Sequence, residues 1–184
     1  MDRAVPILST KRLNLRPART ADAGAISGYR SLPEVARYQS WSRFDEDDAR
    51  TMLEGQAGLA PDTPDSWFQL VIEDGETAQV IGDLALHFAT DDHRQVEVGI
   101  NLAPSRQGCG LAGEALDRAL AYLFDDLGKH RVTAVTDADN GAAARLFLRA
   151  GFRREGHFIE NVWFKGAYGS EFLFALLARE WRDR

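Results

Sequence analysis

The stretch 101-NLAPSRQGCGLAGEALDRAL-120 decides how this chain is read. Gly108, Gly110 and Gly113 stand in a G-x-G-x-x-G spacing, and the run that follows places Leu116, Leu120, Leu123 and Leu127 on one helical face before Gly128 ends it. Such a spacing is the fingerprint of a dinucleotide site, and Asp137 lies downstream where a ribose-binding acid belongs. Against that reading, Pro104, Ser105, Arg106 and Gln107 intervene after Leu102, whereas the fingerprint starts as its strand ends. The second reading is a pyrophosphate loop. Glycines ahead of a helix leave backbone N–H groups uncovered, and these donors converge with the positive end of the helix dipole. Arg106 is the one cation nearby in sequence, and Cys109 stands where a basic residue would have added charge. A plain tight turn into a helix is the third reading.

Working outward, residues 12–18 (RLNLRPA) alternate as a half-buried strand. Residues 20–31 and 44–59 read as helices, the second with Asp45 as N-cap and three further acids in its first turn. Residues 67–74, 79–89 and 94–103 are strand-like runs joined by short turns, which predicts an antiparallel meander. After the glycine stretch and its helix come a strand (HRVTAVTDAD), a short helix (GAAARLFLRAG) and two strands around the turn KGAYGS. The expected fold is α/β (α+β): one domain over residues 1–184, a mixed, mostly antiparallel sheet of seven strands flanked by about four helices.

Of 184 residues, 45% are hydrophobic, enough for one sizeable core. No apolar run is long enough to span a membrane, and the N-terminus MDRAVPILSTKR lacks the layout of a secretory signal, so the expectation is a cytoplasmic protein without a membrane partner. A net charge of −6 disfavours nucleic acid as a partner and is compatible with a cationic substrate. One cysteine excludes an internal disulfide, and the four histidines form no H-x-x-x-H pair, so no metal is expected.

Residues 107–112 (QGCGLA) resemble the Q/R-x-x-G-x-G/A acetyl-CoA pyrophosphate loop of the GNAT N-acetyltransferases. The surrounding VEVGINLAPSRQGCGLAGEAL is similar to the strand, loop and helix of that fold, and NGAAARLFLRAGF to its N-x-x-S/A-x-R segment. The opening STKRLNLRP and the ending KGAYGSEFLFALLAREW resemble the Rim-like branch, whose members acetylate ribosomal-protein N-termini. The resemblance implies acetyl-CoA as cosubstrate and direct attack of an amine on its thioester. It implies a pantetheine site along Ile100, Asn101 and Leu102, in a gap where this strand and the next one splay apart, with the Leu102 N–H polarising the thioester carbonyl. It implies pyrophosphate on Gln107, Gly108, Cys109, Gly110, Leu111, Ala112 and Gly113, a catalytic or pantetheine contact from Asn140, and Arg145 near the adenosine phosphates. Asn140 also reads as a helix N-cap. Phe147 occupies the position where many family members carry a proton-donating tyrosine, and Ala143 one where serine is common.

The acceptor needs a base, for which Glu97 is the first candidate; a solvated strand position is its alternative reading. His87 is the second candidate and a substrate neighbour. Tyr38, Trp41, Phe44, Trp163 and Tyr168 are candidates for an aromatic wall around an amine. The acceptor is expected to be a protein N-terminus or a small-molecule amine. The alternatives are a non-catalytic acyl-CoA sensor and an NAD(P)-binding protein. The resemblance allows a homodimer, for which no stretch of the sequence is diagnostic.

Overall fold

The computed structural model describes residues 7–184. The first six residues, part of the N-terminal stretch read above for a secretory signal, lie outside the described residues. A single mixed sheet runs through the molecule in the order β1-β2-β3-β4-β5-β6-β8-β7. Its strands are β1 (Leu8–Ser9), β2 (Leu13–Pro17), β3 (Ser66–Asp74), β4 (Val80–Phe88), β5 (Gln95–Leu102), β6 (Arg131–Asp137), β7 (Arg153–Phe164) and β8 (Ala167–Leu177). Among the described residues the sheet expected to have seven strands has eight. The additional one, β1, is two residues long, too short for hydrophobic alternation to reveal.

The predicted meander is β3-β4-β5, antiparallel throughout. The β7–β8 hairpin turns on Lys165 and Gly166 alone, at φ of 50° and 87°, a tighter reversal than the six-residue turn expected. Among the described residues only β5 and β6 pair in parallel, and they are joined through a helical crossover.

Helices α1 (Ala23–Arg30), α2 (Pro33–Ala36), α3 (Glu46–Gly55), α4 (Leu111–Ala121), α5 (Gly141–Arg149) and α6 (Ala178–Arg182) cover the sheet. The two not foreseen, α2 and α6, span one turn or little more. α3 starts where its sequence says it should: the Asp45 side chain accepts from the Asp48 N–H at 3.0 Å, and Asp48 returns the bond to the Asp45 N–H at 2.9 Å.

Alternation along the strands splits the interior in two. Phe68, Leu70, Leu84, Leu86, Val96, Val98, Val132, Ala134 and Phe174 face α4 and α5 in the main core. Val71 faces α1 and α3 in a smaller cluster with Ile26, Phe44 and Leu53. On that second face Asp83 of β4 is fully buried. It accepts from the Tyr29 hydroxyl at 2.6 Å and is ion-paired with Arg30, which fastens α1 to the middle of the sheet. None of the described helices is long and apolar enough to cross a membrane.

Candidate active site

β5 and β6 pair only through Gln95–Arg131, Val96–Val132 and Glu97–Thr133, and then part. The ladder bonds at either end of β5, from the Ala103 N–H to the Ile81 carbonyl and from the Ala89 N–H to the Gln95 carbonyl, fix the alternation. Odd residues turn their backbone groups to β4, and even ones turn them away. The Glu97–Thr133 rung itself uses the Val98 N–H, so beyond it the N–H groups of Ile100 and Leu102 face the opening between the strands, whereas that of Asn101 faces β4. The Leu102 carbonyl is already occupied, accepting from Gln107 Nε2 at 2.8 Å. Across the ladder Gly82 lets Leu102 come close, since a Cβ there would lie 2.4 Å from the Asn101 carbonyl oxygen.

At the mouth of this slot stands the glycine loop. Gly108 and Gly110 adopt φ of 76° and 79°, a region L side chains rarely enter, and Gly110 is the N-cap of α4. The backbone N–H groups from Gly108 to Gly113 donate to no acceptor among the described residues, the first bond of the helix being Glu114 N–H to the Gly110 carbonyl. Arg106 is ion-paired with Asp74 at 3.1 Å. The cation that meets the loop is instead Arg12, from the turn between β1 and β2. Its Nη1 donates to the Cys109 carbonyl at 3.0 Å, and its Nε donates to Glu114 at 2.7 Å. The expectation that Arg106 is the one cation nearby is thus corrected: Arg12 is distant in sequence, and β-strand pairing delivers it. With every peptide bond trans, tying the Cys109 carbonyl to Arg12 aims the Gly110 N–H the opposite way.

Glu97 occupies the last rung before the split, between His87 of β4 and Thr133 of β6, on the face away from α4 and α5. Burial pushes its carboxyl above the ordinary glutamate value; His87 works against this shift and the carboxylate of Glu171 adds to it. His87 stacks on Trp67, ring centres 4.7 Å apart. Glu171, on β8, accepts from Asn161 Nδ2 at 2.5 Å. Segment 36–39 closes the space on another side. Gln39 Nε2 donates to Asn101 Oδ1 at 3.0 Å, and Lys165, in the β7–β8 turn, donates to the Ala36 carbonyl. The exposed Trp163 and Tyr168, paired across that hairpin with rings 5.0 Å apart, stand next to this docked turn.

A family model for the acetyltransferase (GNAT) domain matches residues 12–153. The chain belongs to the GNAT acetyltransferases. It is 34% identical over 152 residues to an uncharacterized N-acetyltransferase of Bacillus subtilis, covering 82% of this chain and 85% of that relative. Its structure resembles that of spermidine N-acetyltransferase from Vibrio cholerae solved with CoA and spermine (TM-score 0.82, 25% identity, 94% and 99% of the two chains). It also resembles RimJ of Mycobacterium smegmatis solved with CoA-disulfide (TM-score 0.79, 25% identity, 91% and 83%). The Rim-like resemblance thus extends to solved structures.

In this GNAT chain, the remaining sequence-derived candidates fall at differing distances from the slot. Asn140 caps α5, its Oδ1 accepting from the Ala143 N–H at 3.1 Å. Phe147 is buried, edge-on to Phe152 and stacked on Phe174. Arg145 is exposed on α5 and folds back over Gly141. Trp41 covers the Arg30 guanidinium and packs on buried Phe44, with its Nε1 donating to the Arg30 carbonyl. Tyr38 is half-buried beneath Arg37. Arg12, Gln39 and Glu171 escaped the sequence reading. Arg12 and Glu171 carried a signal only as parts of the Rim-like opening STKRLNLRP and ending KGAYGSEFLFALLAREW, and Gln39 carried none.

Proposed function

We propose that this protein holds acetyl-CoA between β5 and β6 and passes its acetyl group to a cationic amine presented on the Glu97 face of the sheet. The observation that carries the reading is the alignment of three features: a cradle of unpaired N–H groups at the mouth of the slot, outward-facing backbone groups along β5, and a carboxylate at its vertex. The cradle suits a pyrophosphate, with the backbone of Gly108–Gly113 and the α4 dipole supplying the attraction. The Leu102 N–H, nearer the mouth, pairs with the extended arm as an added strand would, and the Ile100 N–H, the one closer to the vertex, polarises the acyl carbonyl. Among the described residues Asn140 Nδ2 donates to no acceptor, which leaves it for the arm while its Oδ1 caps α5.

Acetyl-CoA supplies an activated thioester. Glu97 takes the proton the attacking amine must lose, directly or through one water, and its raised pKa brings it closer to the task. Glu171 adds negative charge on the same side, which attracts an amine that is protonated in solution. The Vibrio cholerae structure that the chain resembles is named a spermidine N-acetyltransferase, and spermidine is a cationic amine of this kind. Cys109 lies in the loop at the mouth of the slot, remote from its vertex, so no acyl-cysteine step is assigned. Membership of an acetyltransferase family favours catalysis over a CoA sensor, and β5 enters the loop from an antiparallel ladder rather than a doubly wound sheet, which disfavours a nicotinamide site.

The test is calorimetric titration with acetyl-CoA on the native chain and on Gly110→Glu, which sets bulk and negative charge in the cradle. The reading expects tight binding by the first and none by the second; equal binding contradicts the loop assignment.

A further inference from the structure

The hydroxyl of Thr136 is buried, the residue being 9% exposed, and it has no hydrogen-bond partner among the described residues. A threonine so placed destabilises the fold, and valine would fill the same shape without that penalty. Its position is informative. From the last rung, Glu97–Thr133, three further steps along two parallel strands bring Ile100 and Thr136 to the same height on opposite sides of the split. Alternation puts the Thr136 side chain on the face of Val132 and Ala134, which is also the face of Ile100 and of α5. Its partner on β8 is Phe172, edge-on to Phe174, which stacks on Phe147. The hydroxyl is thus a lone polar atom in a wall of phenylalanine, bordering the slot where β6 has left β5.

Phe147 brings no proton or hydrogen-bond donor to that wall. We propose that Thr136 supplies the donor: its hydroxyl hydrogen-bonds the sulfur of the acyl donor as the sulfur becomes a thiolate. The inference rests on the donor-slot reading above. In the transfer, the amine nitrogen forms the C–N bond, the C–S bond breaks and its electron pair stays on sulfur, and the proton shed by nitrogen goes to Glu97. Thr136 keeps its own proton and only shares it; the sulfur takes its proton later from solvent. Stabilising the leaving anion in this way needs a positioned hydroxyl rather than an acid, since the free thiol already ionises near pH 8.5, about the reference for a thiol.

The test compares the native chain with Thr136→Val and Thr136→Ser, using CoA itself as probe and two readouts other than turnover: thermal unfolding of the unliganded protein, and the pH at which bound CoA becomes thiolate, followed by its ultraviolet absorbance. Thr136→Val should unfold at a higher temperature than the native chain, bind CoA about fivefold to tenfold more weakly at a pH where the thiolate prevails, and shift thiolate formation to higher pH. Thr136→Ser should keep native CoA affinity and the native thiolate titration. If Thr136→Val binds CoA as tightly as the native chain with an unshifted thiolate titration, or unfolds at a lower temperature, the hydroxyl is a structural group and the proposal is overturned. Failure of the native chain itself to bind CoA would overturn the donor-slot reading and this inference together.

Discussion

Glu97 acquires its properties from its address. Two strands diverge immediately beyond it, so its carboxyl is shielded by the sheet yet open to the space that the split creates. As the base it works deprotonated, so kcat/KM should fall as pH drops through its raised pKa, and the acidic limb should lie above the ordinary glutamate range. Glu97→Gln should remove that limb and lower turnover by about 100-fold to 10,000-fold, with acetyl-CoA affinity unchanged; a pH–rate profile identical to the native one would remove Glu97 from the mechanism. The same shift has a sign for stability. The unfolded chain releases this proton at lower pH than the folded one, so folding stability declines as pH rises from the ordinary value through the folded one. Glu97→Gln should escape that decline, which denaturant titrations at several pH values would show. Arg12 belongs to the same scale. Because it holds the Cys109 carbonyl, Arg12→Gln should raise the KM for acetyl-CoA while leaving that for acetyl-pantetheine, which has no phosphates, near its native value. A parallel loss with both donors would reduce Arg12 to a packing role.

Elements carry these residues to their posts, and here the legibility of the sequence divides. The meander, α3 with its Asp45 cap, α4 and α5 were all readable, because capping residues and period are local signals. Asn140 was readable as a cap for the same reason. The splay of β5 from β6 was carried by resemblance alone, since no local pattern says where a parallel pair stops. The site roles of Arg12 and Gln39 were illegible from local pattern because their partners lie far along the chain, on the loop before α4 and on β5, and Glu171 reaches the Glu97 face only through the pairing of β8 with β6. Phe147 and Trp41 were placed near the chemistry, and the structure shows both engaged in packing. The Tyr29–Asp83–Arg30 group matters at this scale too. Asp83 lies opposite Asn101, so the ion pair that fixes α1 also steadies the wall reached by Gln39. Arg30→Met strands a buried carboxylate and should cost about 3–5 kcal/mol by urea unfolding; a loss under 1 kcal/mol would mean that Asp83 finds another partner.

At the scale of the whole molecule, a single sheet has a different task on each face. The α4–α5 face carries the main core and the glycine cradle; the other face carries Glu97 and is bounded by segment 36–39 and the β7–β8 turn. The far edge is tied by a charge network. Glu155 accepts from Arg131 at 3.2 Å and pairs with Arg153, which also reaches Glu180 of α6. Chiefly through Arg131, the Glu155 carboxyl is lowered to about 2. Its contribution is therefore in place above the ordinary glutamate value and disappears as pH falls toward 2. Glu155→Gln should cost about 1 kcal/mol at neutral pH, the scale of partly exposed pairs, and should flatten the acid end of the stability curve.

The central claim is that the cradle before α4 and the slot between β5 and β6 form one donor site serving an amine on the opposite face. Calorimetric titration of the native chain with acetyl-CoA and with NADH, followed by amines in the presence of CoA, tests it most directly. Binding of acetyl-CoA but not NADH, and of an amine once CoA is in place, is the predicted result. Binding of NADH without acetyl-CoA would contradict the account.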